Sequence, residues 1–475
     1  MIGATTTRRA GILAAITLAA TGVLCPQPAV GQQRRSGVDI YQEQLRVQWD
    51  RQTPEAQEAA FDVGGWFSFA MFKYDDASNL RVRNLRQYQI RAWASMNLHG
   101  VHKAYVRAMY GLDDWNDGDN PIDNRNDEDA GPAFERAWYL FDLGNFLRNR
   151  GRRDVPLDMQ VKVGREYATI GTALVLSMPL DMIEWQMSIR DWDFLALLGM
   201  TREDTNNIDD SLPVDDHQQR CFWGAQVTYR GVDNHRPFVY WLSQDDHTNP
   251  DPKLSYQGFD YSSRYLGAGS TGSLLPQLRY QFEIVGEFGH TFSAFQTSRR
   301  DRIRAMALDA GLTYLFDNIA SEPRLGYEYL FGSGDDDRQL TSTSTIGGNR
   351  AGTEDNAFNA IGYRDTGLSF APDVSNLNIH VLSASFIPLK NRRFFEQLEL
   401  GAKVFFYHKA TSGPISDASA TEDSYWAGWE IDGYCNWRLT SDLTVSLRYG
   451  AFQPGSAFAS QTTRHFLLTA MTLSF

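Results

Sequence analysis

The sequence has few cysteines, no excess of positive charge and no long apolar run beyond its first 31 residues. Only 3 of its 475 residues are cysteine, so the fold does not depend on a disulfide framework, and whether Cys221 and Cys435 pair is left open. Lysine and arginine number 45 against 58 aspartate and glutamate, a net charge of −13, which argues against a nucleic-acid-binding protein. Because no further stretch of about 20 apolar residues occurs, the chain is not a polytopic helical membrane protein.

Catalytic and cofactor-binding motifs are also lacking. The 9 histidines show no metal-ligand spacing such as His-x-x-x-His, and no nucleophile, base and orienting group form a recognisable set. We therefore expect no enzymatic activity, no cofactor and no metal site. The acidic segment 113–119 has the composition of a calcium loop, but Trp115 occupies the third ligand position and excludes an EF-hand. A solvated acidic loop is the simpler interpretation, and weak calcium binding in the acidic loops is the alternative.

The N-terminus has the order of regions found in a secretory signal peptide. Arg8 and Arg9 precede an apolar stretch over residues 10–24, and a more polar region with small residues follows. This order predicts residues 1–31 as a cleaved signal peptide and residues 32–475 as one mature domain. A buried N-terminal helix is the alternative.

Apolar and polar residues alternate over unusually long stretches of the mature chain. Between positions 427 and 439 the odd positions are apolar or small, and most even positions are polar; the pattern returns over residues 443–451 after a short turn. Such strands exceed the ~5–6 residues of soluble proteins and fit an oblique bilayer crossing of ~9–11 residues. The pattern predicts a membrane-spanning hairpin. Its predicted lipid-facing residues are Trp429, Ile431, Trp437, Leu443 and Leu447.

The same alternation recurs upstream, between segments of unequal length. Further alternating stretches lie at residues 223–230, 278–288, 305–316 and 398–407, with a weaker one at 90–98, where a helix is the alternative. Long polar segments lie at residues 113–131, 201–219 and 332–356. Short turns at one end and long loops at the other are typical of outer-membrane barrels. We predict an all-β fold: a single transmembrane antiparallel β-barrel of about 16–18 strands, with short periplasmic turns and long extracellular loops. A soluble β-sandwich or β-helix is the alternative.

The last strand ends on an aromatic residue. Met471, Leu473 and Phe475 share one face of this terminal stretch. A final strand of this kind resembles the signal that the barrel-assembly machinery of outer membranes reads. We therefore expect Phe475 to act as the assembly signal, and the outer membrane of a Gram-negative-type envelope to be the location. The expected partners are then outer-membrane lipid and the assembly machinery.

Several short motifs follow one another along the chain in a recognisable order. They are Val163-Gly-Arg-Glu166, Leu278-Arg-Tyr-Gln-Phe-Glu283, Asp373-Val-Ser-Asn-Leu-Asn378, Gly428-Trp-Glu-Ile-Asp432 and Phe452-Gln-Pro-Gly455. In this order they resemble segments of the alginate-export family, whose members are outer-membrane barrels that pass an anionic polysaccharide. The resemblance implies that Arg165 or Glu166 lines the channel constriction; the alternative is a salt bridge at the rim.

The polar positions of the alternating strands predict the side chains that line the lumen. Basic residues slightly outnumber acidic ones on this face. The predicted pathway residues are Arg165, Glu166, Arg230, Arg279, Glu283, Lys403, Glu430, Asp432, Arg438 and Arg448, and the inward basic set also includes Arg91, Lys103, Arg107 and Lys162. Since Arg165 falls on the apolar side of its strand, it faces inward only if a bulge at Gly164 turns it.

Charge in a narrow lumen is screened less than charge in exposed loops. We therefore expect a belt of Arg165, Arg230, Arg279, Arg438 and Arg448 to favour anions despite the net negative charge. The acids Glu283, Glu430 and Asp432 are expected to hold some of these arginines by pairing.

The expected function is a passive outer-membrane channel for an alginate-like anionic polysaccharide or oligosaccharide, with periplasmic export partners left open. Three alternatives remain at this point. The first is a general or sugar-type porin of the same architecture. The second is a barrel enzyme that acts on lipid or polysaccharide, and the third is a secreted glycan-binding β-protein.

Overall fold

The computed structural model describes residues 59–77, 82–120, 125–151, 157–202, 219–247, 261–292, 300–345 and 348–475. The predicted signal peptide, residues 1–31, lies outside the described residues, as does most of the predicted polar segment 201–219. No helix among the described residues is long and apolar enough to cross a membrane.

One sheet contains every strand of the structure. Its strands are β1 (Ala59–Asp75), β2 (Arg83–Leu98), β3 (His102–Trp115), β4 (Asp127–Asp142), β5 (Leu157–Ile170), β6 (Leu176–Ile189), β7 (Trp192–Met200), β8 (Arg220–Tyr229), β9 (His235–Asp246), β10 (Ser262–Leu275), β11 (Leu278–Phe292), β12 (Arg300–Leu315), β13 (Arg324–Gly332), β14 (Ile361–Gly362), β15 (Leu377–Phe386), β16 (Leu398–Lys409), β17 (Trp426–Arg438), β18 (Leu443–Pro454) and β19 (Arg464–Ser474). A short helix, α1 (Leu143–Asn149), follows β4. The sheet has 19 strands, and without the two-residue β14 the wall contains 18.

The wall is a closed antiparallel barrel. Each long strand pairs with the next, β13 pairs with β15 across the intervening loop, and β19 returns to pair with β1. At the closure, the Phe475 N–H donates to the Gly65 carbonyl (2.9 Å) and the Gly65 N–H donates to the Phe475 carbonyl (3.0 Å). Because closure leaves no free edge, backbone groups are satisfied without water, as a bilayer requires. The predicted barrel of about 16–18 strands is confirmed.

In the last hairpin, the predicted alternation assigns the lipid-facing and the lumen-facing side chains correctly. Trp429, Ile431 and Leu447 are 40%, 43% and 45% exposed on the outer face, whereas Glu430 and Asp432 are buried inside. The 90–98 stretch belongs to β2, so the helix alternative there is excluded. The apolar outer face also argues against a soluble sandwich or a secreted soluble protein.

The predicted polar loop over 113–131 is shorter than expected. Strand β3 extends to Trp115 and β4 begins at Asp127, so several acids of this segment lie in strands. Gln87 Nε2 donates to Asp113 (2.9 Å), and Arg86 pairs with Asp114 (2.8 Å) across the β2–β3 ladder. Within the described ranges no group of three metal-ligating side chains is found, and weak calcium binding stays a prediction.

The tip of the β5–β6 hairpin leaves the wall and folds into the lumen. Strand β5 pairs with β4 only up to Arg165, and β6 pairs with β7 only from Asp181 onward. Residues 166–180, here called the inner hairpin, are therefore free to bend inward. The bend lies at Gly164, which has a φ of +126° and where a Cβ would approach the Ala137 carbonyl oxygen to 2.2 Å. Only glycine fits that position.

Contacts at the tip show how far the inner hairpin reaches. The Gly171 N–H donates to Gln226 Oε1 on β8 (2.9 Å), and Thr172 Oγ1 donates to Asp309 on β12 (2.8 Å). The Thr172 N–H donates to Glu283 on β11. The inner hairpin thus crosses toward inward-facing residues of strands far from its own.

A second element, the inner loop (residues 357–370), fills the lumen from the β13–β15 connection. Its strand β14 pairs in parallel with Leu176 and Ser177 at the free edge of the inner hairpin. Phe358, Ile361 and Leu368 of this loop are buried in apolar clusters formed by inward faces of the wall. The inner hairpin and the inner loop therefore narrow the lumen, and the transport pathway is the space that remains beside them.

The outward position of Leu447 gives a test of the register. Replacing Leu447 by arginine should lower the free energy of unfolding by ~2–4 kcal/mol, because the charge would face lipid near the bilayer midplane. The matched control Leu443→Arg, at the end of the same strand near the interface, should cost only ~0–1 kcal/mol. Unfolding in lipid vesicles measures both. Equal costs for the two variants would mean that the register or the depth of this strand is wrong.

Candidate functional site

The inner loop is held by inward carboxylates of the wall. Glu430 on β17 accepts the backbone N–H groups of Leu368 (2.7 Å), Ser369 and Phe370 (2.9 Å). On the other side of the barrel, Glu287 on β11 accepts the Asn359 N–H (2.9 Å). Backbone donors bound to a buried carboxylate make strong, charge-assisted hydrogen bonds, so these carboxylates fix the path of the loop.

Glu283 anchors the inner hairpin in the same way. It accepts the Thr172 N–H and the Tyr240 hydroxyl (2.6 Å), and its side chain is buried. For Glu283 and Glu430 the expected pairing with arginine is therefore wrong. The reason is that both strands pass beneath inward-folded backbone, whose unpaired N–H groups compete for the carboxylates.

Arg364 ties the inner loop to three parts of the molecule. Its guanidinium contacts Asp309 on β12 and Glu328 on β13, and it donates to the Thr172 carbonyl of the inner hairpin (2.8 Å). Burial alone would lower the pKa of Arg364, but the two carboxylates raise it above its ordinary value, so the residue stays charged. Arg364 therefore joins both folded-in segments to the wall.

The neighbouring contact involves a predicted pathway residue. Lys403 on β16 pairs with Asp365 of the inner loop, and Asp432 lies directly opposite Lys403 in the β16–β17 ladder. Asp432 is buried beside Glu430 on the same inward face. Lys403, Glu430 and Asp432 thus occupy the inward positions that the sequence predicts and lie together, and Lys403 and Glu430 hold the loop in place.

Basic side chains gather on the opposite wall, on β2–β4. Arg91 and Arg107 share one carboxylate, Glu135, at 3.0 and 2.9 Å, and Arg136 pairs with Glu166 at 3.2 Å. The three arginines are buried, with exposed fractions of 7%, 2% and 6%. We call Arg91, Arg107 and Arg136 the arginine cluster. Glu135 and Glu166 are the carboxylates that pair with it in these contacts.

A β-bulge creates this arrangement. In the β3–β4 ladder Arg107 pairs with Arg136 and Ala108 pairs with Phe134, so Glu135 is the extra residue. A bulge disturbs the strict alternation of faces, and here both Glu135 and Arg136 form ion pairs inside the lumen, Glu135 with Arg91 and Arg107 and Arg136 with Glu166. The Trp66 ring packs beneath, with the guanidinium carbons of Arg91 and Arg107 at 5.9 and 5.4 Å from its centroid. Cation–π contact of this kind fixes the direction of a guanidinium.

Glu166 points inward as the resemblance implies, whereas Arg165 does not. Neither ladder of β5 shifts register at Gly164, so the bulge expected there is absent. Arg165 lies on the same face as the exposed Val163, pairs with Asp181 (2.7 Å) and donates to the Phe134 carbonyl (3.0 Å). Arg165 thus lies on the outer side of the wall, at the point where the pairing of β4 with β5 ends.

Three more predicted basic residues lie at the periplasmic mouth. Arg230 pairs with Asp193 (3.0 Å) beside the β8–β9 turn, and Arg438 donates to the Ser441 carbonyl (2.8 Å). Arg279 lines a cavity of about 860 Å³ together with Lys403. These three residues share the periplasmic level, but Arg165 lies outside the lumen and Arg448 lies deeper, so the five arginines do not form the expected belt.

Arg448 lies deeper and is half-buried, with its guanidinium carbon 5.6 Å from the centroid of the Tyr434 ring. Gln281, Glu328 and Ser383 add polar side chains to the cavity that Arg279 and Lys403 line. The cavity is thus a polar vestibule on the periplasmic side of the inner loop.

Sequence reasoning missed Glu135, Arg136 and Arg364. The first two lie on β4, where the bulge breaks the alternation, and the third lies in an irregular segment with no period. Two sequence signals could have revealed them. Glu135 and Arg136 form a charged pair in the middle of an apolar stretch, and Arg364 is an isolated arginine within a glycine-containing loop.

Comparisons with known proteins agree with this architecture. The profile of the family described as alginate export matches residues 158–466. Among solved structures, OccK8 (OprE) of Pseudomonas aeruginosa superposes with a TM-score of 0.52 at 9% identity, covering 87% of this chain and 98% of that one. The outer membrane protein opdK of Pseudomonas aeruginosa gives 0.51 at 11% identity, covering 88% and 99%. At such identities the structures establish the fold alone. A search of the curated proteins finds no match.

The profile spans well over half of the chain and includes the strands that carry Glu166, Glu283, Lys403 and Glu430. The barrel is closed, carries an apolar outer face and encloses a polar lumen. The chain therefore belongs to the alginate-export family and is an outer-membrane β-barrel channel.

Proposed function

We propose that the channel passes an anionic, alginate-like polysaccharide or oligosaccharide, and that the arginine cluster is its selectivity element. The observation that carries this proposal is the position of the cluster. The polar anchors of the inner loop lie on the inner hairpin, β11–β13 and β16–β17, whereas the arginine cluster lies on β2–β4. Leu368 of the loop packs with Leu85 and Trp115 at the extracellular ends of β2 and β3, beyond the arginines. The pathway beside the loop then runs along the arginines.

The charges are arranged to attract a polyanion without trapping it. Arg91 and Arg107 share the carboxylate of Glu135, and Arg136 lies beside them, so positive charge is concentrated at this point of the wall. In a narrow lumen such a charge acts in a lower effective dielectric than in water. Glu135 and Glu166 partly neutralise the arginines and so weaken their contacts with the polymer. Conduction requires weak contacts, because each sugar unit that binds must also leave.

Several remaining expectations accompany this proposal. Cleavage of the signal peptide after residue 31, assembly through Phe475, passive diffusion without a cofactor, and periplasmic export partners are parts of it that await experiment. No catalytic role is proposed: Glu283, Glu287 and Glu430 hold the inner hairpin and the inner loop, and Glu135 and Glu166 form ion pairs.

Selectivity of the wild-type channel tests the proposal. Planar bilayers with a tenfold salt gradient should give a reversal potential of the sign that anion preference requires, despite the net charge of −13. Millimolar oligouronate should then interrupt the current, and a neutral oligosaccharide of the same length should interrupt it less. Cation preference, or equal block by both sugars, would leave a general or sugar-type porin.

A further inference from the structure

A group of basic side chains lies on the outer face of the barrel, away from the lumen. We call Arg264, His290, Arg300, Arg302 and Arg304 the outer basic patch. All five side chains are exposed. They lie on β10, β11 and β12 at the end of the barrel that carries the long loops.

The alternation of each strand fixes the direction of the patch. Leu266, Phe288 and Met306 share the face of the basic residues and are 50%, 48% and 44% exposed, as lipid-facing side chains are. Inward neighbours such as Asp301 and Ile303 are buried. Asp301 accepts from Asn349 and the Gly352 N–H inside the extracellular loop. The acid of the run 300–304 thus points inward while its arginines point outward.

Register makes the patch compact. Arg302 pairs with His290, Arg304 pairs with Phe288, and Arg264 pairs with Phe288 from the other side. Neighbouring strands are ~4.8 Å apart and alternate residues of one strand ~6.5–7 Å apart. Several flexible guanidinium groups therefore reach one ligand of the size of a phosphorylated sugar.

Three of the four arginines of the patch are not neutralised by the described residues. In the ranges that the structure describes, no carboxylate forms an ion pair with Arg264, Arg302 or Arg304. Elsewhere on the outer face near this rim, Arg86 is paired with Asp114 (2.8 Å) and Tyr110 is bound to Asp129 (2.9 Å). Arg264, Arg302 and Arg304 thus form a cationic surface without acidic partners among the described residues, directly above an apolar surface.

We propose that the outer basic patch binds the phosphorylated headgroup of a lipid in the outer leaflet. Arginine forms bidentate hydrogen bonds with phosphate, and cations next to a membrane attract anionic headgroups. Leu266, Phe288 and Met306, just below the patch, then contact the acyl chains of the same lipid. This site is separate from the lumen and does not rest on the proposed function.

Binding of defined lipids to the purified full-length protein tests this site. Native mass spectrometry would count bound molecules of a bisphosphorylated glycolipid of the lipid A type and of its dephosphorylated form. The wild type should retain the phosphorylated lipid preferentially. The double variant Arg302→Ala/Arg304→Ala should bind it more weakly by on the order of tenfold or more. The matched control Arg86→Ala, which alters an ion-paired arginine of the outer face, should bind like the wild type.

Separate controls distinguish the outcomes. Heat-dependent migration on gels shows that each variant forms the barrel, and Arg302→Lys/Arg304→Lys should recover part of the binding. Equal retention of the two lipids, or unchanged binding by the double alanine variant, would overturn the proposal. Loss of oligouronate binding with intact lipid binding in that variant would also overturn it, and would assign the patch to the emerging polymer.

Discussion

Replacing Arg91 and Arg107 together by glutamine should turn the channel from anion-selective to cation-selective. The double variant removes two of the three guanidinium groups of the arginine cluster and leaves the carboxylates of Glu135 and Glu166 in place. At ~7 Å and an effective dielectric constant of about 20, one unit charge contributes roughly 2 kcal/mol to the energy of a passing ion. Reversal of the sign is therefore expected, beyond a simple loss of preference.

Reversal potentials in a salt gradient measure this effect. The opposite change, Glu135→Gln, should strengthen anion preference because it removes the shared carboxylate. The control Arg438→Ala removes an exposed arginine at the periplasmic mouth and should alter selectivity little. Anion preference that survives in the double variant would show that the pathway does not run along the arginine cluster.

Changing Glu430 to glutamine should release the inner loop and raise single-channel conductance severalfold. A glutamine oxygen is uncharged, and the amide nitrogen cannot accept the N–H groups of Leu368, Ser369 and Phe370. Each hydrogen bond to a charged group contributes about 1.5–3 kcal/mol. Glutamine loses at least the bond from Phe370 and turns those from Leu368 and Ser369 into weaker neutral bonds. Together these losses weaken the anchor by roughly 3–6 kcal/mol, enough to free a loop that occupies the lumen.

Glu399→Gln provides the matched control, since Glu399 also lies on an inward position, at the periplasmic end of β16, and contacts no part of the inner loop in the described structure. Its conductance should equal that of the wild type. The barrel itself should persist in Glu430→Gln, because the β16–β17 and β17–β18 ladders are backbone hydrogen bonds. Unchanged conductance with an intact barrel would show that Glu430 does not hold the constriction.

Alternation was sufficient to predict the wall of the barrel. A strand exposed to lipid on one face and to a polar lumen on the other must alternate, so β17 and β18 could be placed with the correct faces from the sequence. Where apolar and polar residues do not alternate strictly, the sequence did not predict the structure correctly. The bulge at Glu135 concealed Arg136, and the acids at the ends of β3 and β4 resembled a loop.

The interior could not be predicted in the same way. Contacts of Glu283 with Thr172 and of Glu430 with residues 368–370 join positions far apart in sequence, and nothing local signals them. Both acids sit at the expected inward positions, but their partners are backbone groups of segments without any period. The inward positions of the alternating strands likewise predicted an almost neutral lumen, whereas the structure places the loop-anchoring acids on β11 and β17 and the arginine cluster on β2–β4.

Transport of polymer through the reconstituted channel tests the central claim most directly. Liposomes loaded with fluorescent oligouronate and with a neutral dextran of the same hydrodynamic size would be compared with and without the protein. The account predicts release of the oligouronate through the wild type, retention of the dextran, and loss of that release in Arg91→Gln/Arg107→Gln. Equal release of both polymers, or release that is unchanged in the double variant, would contradict it.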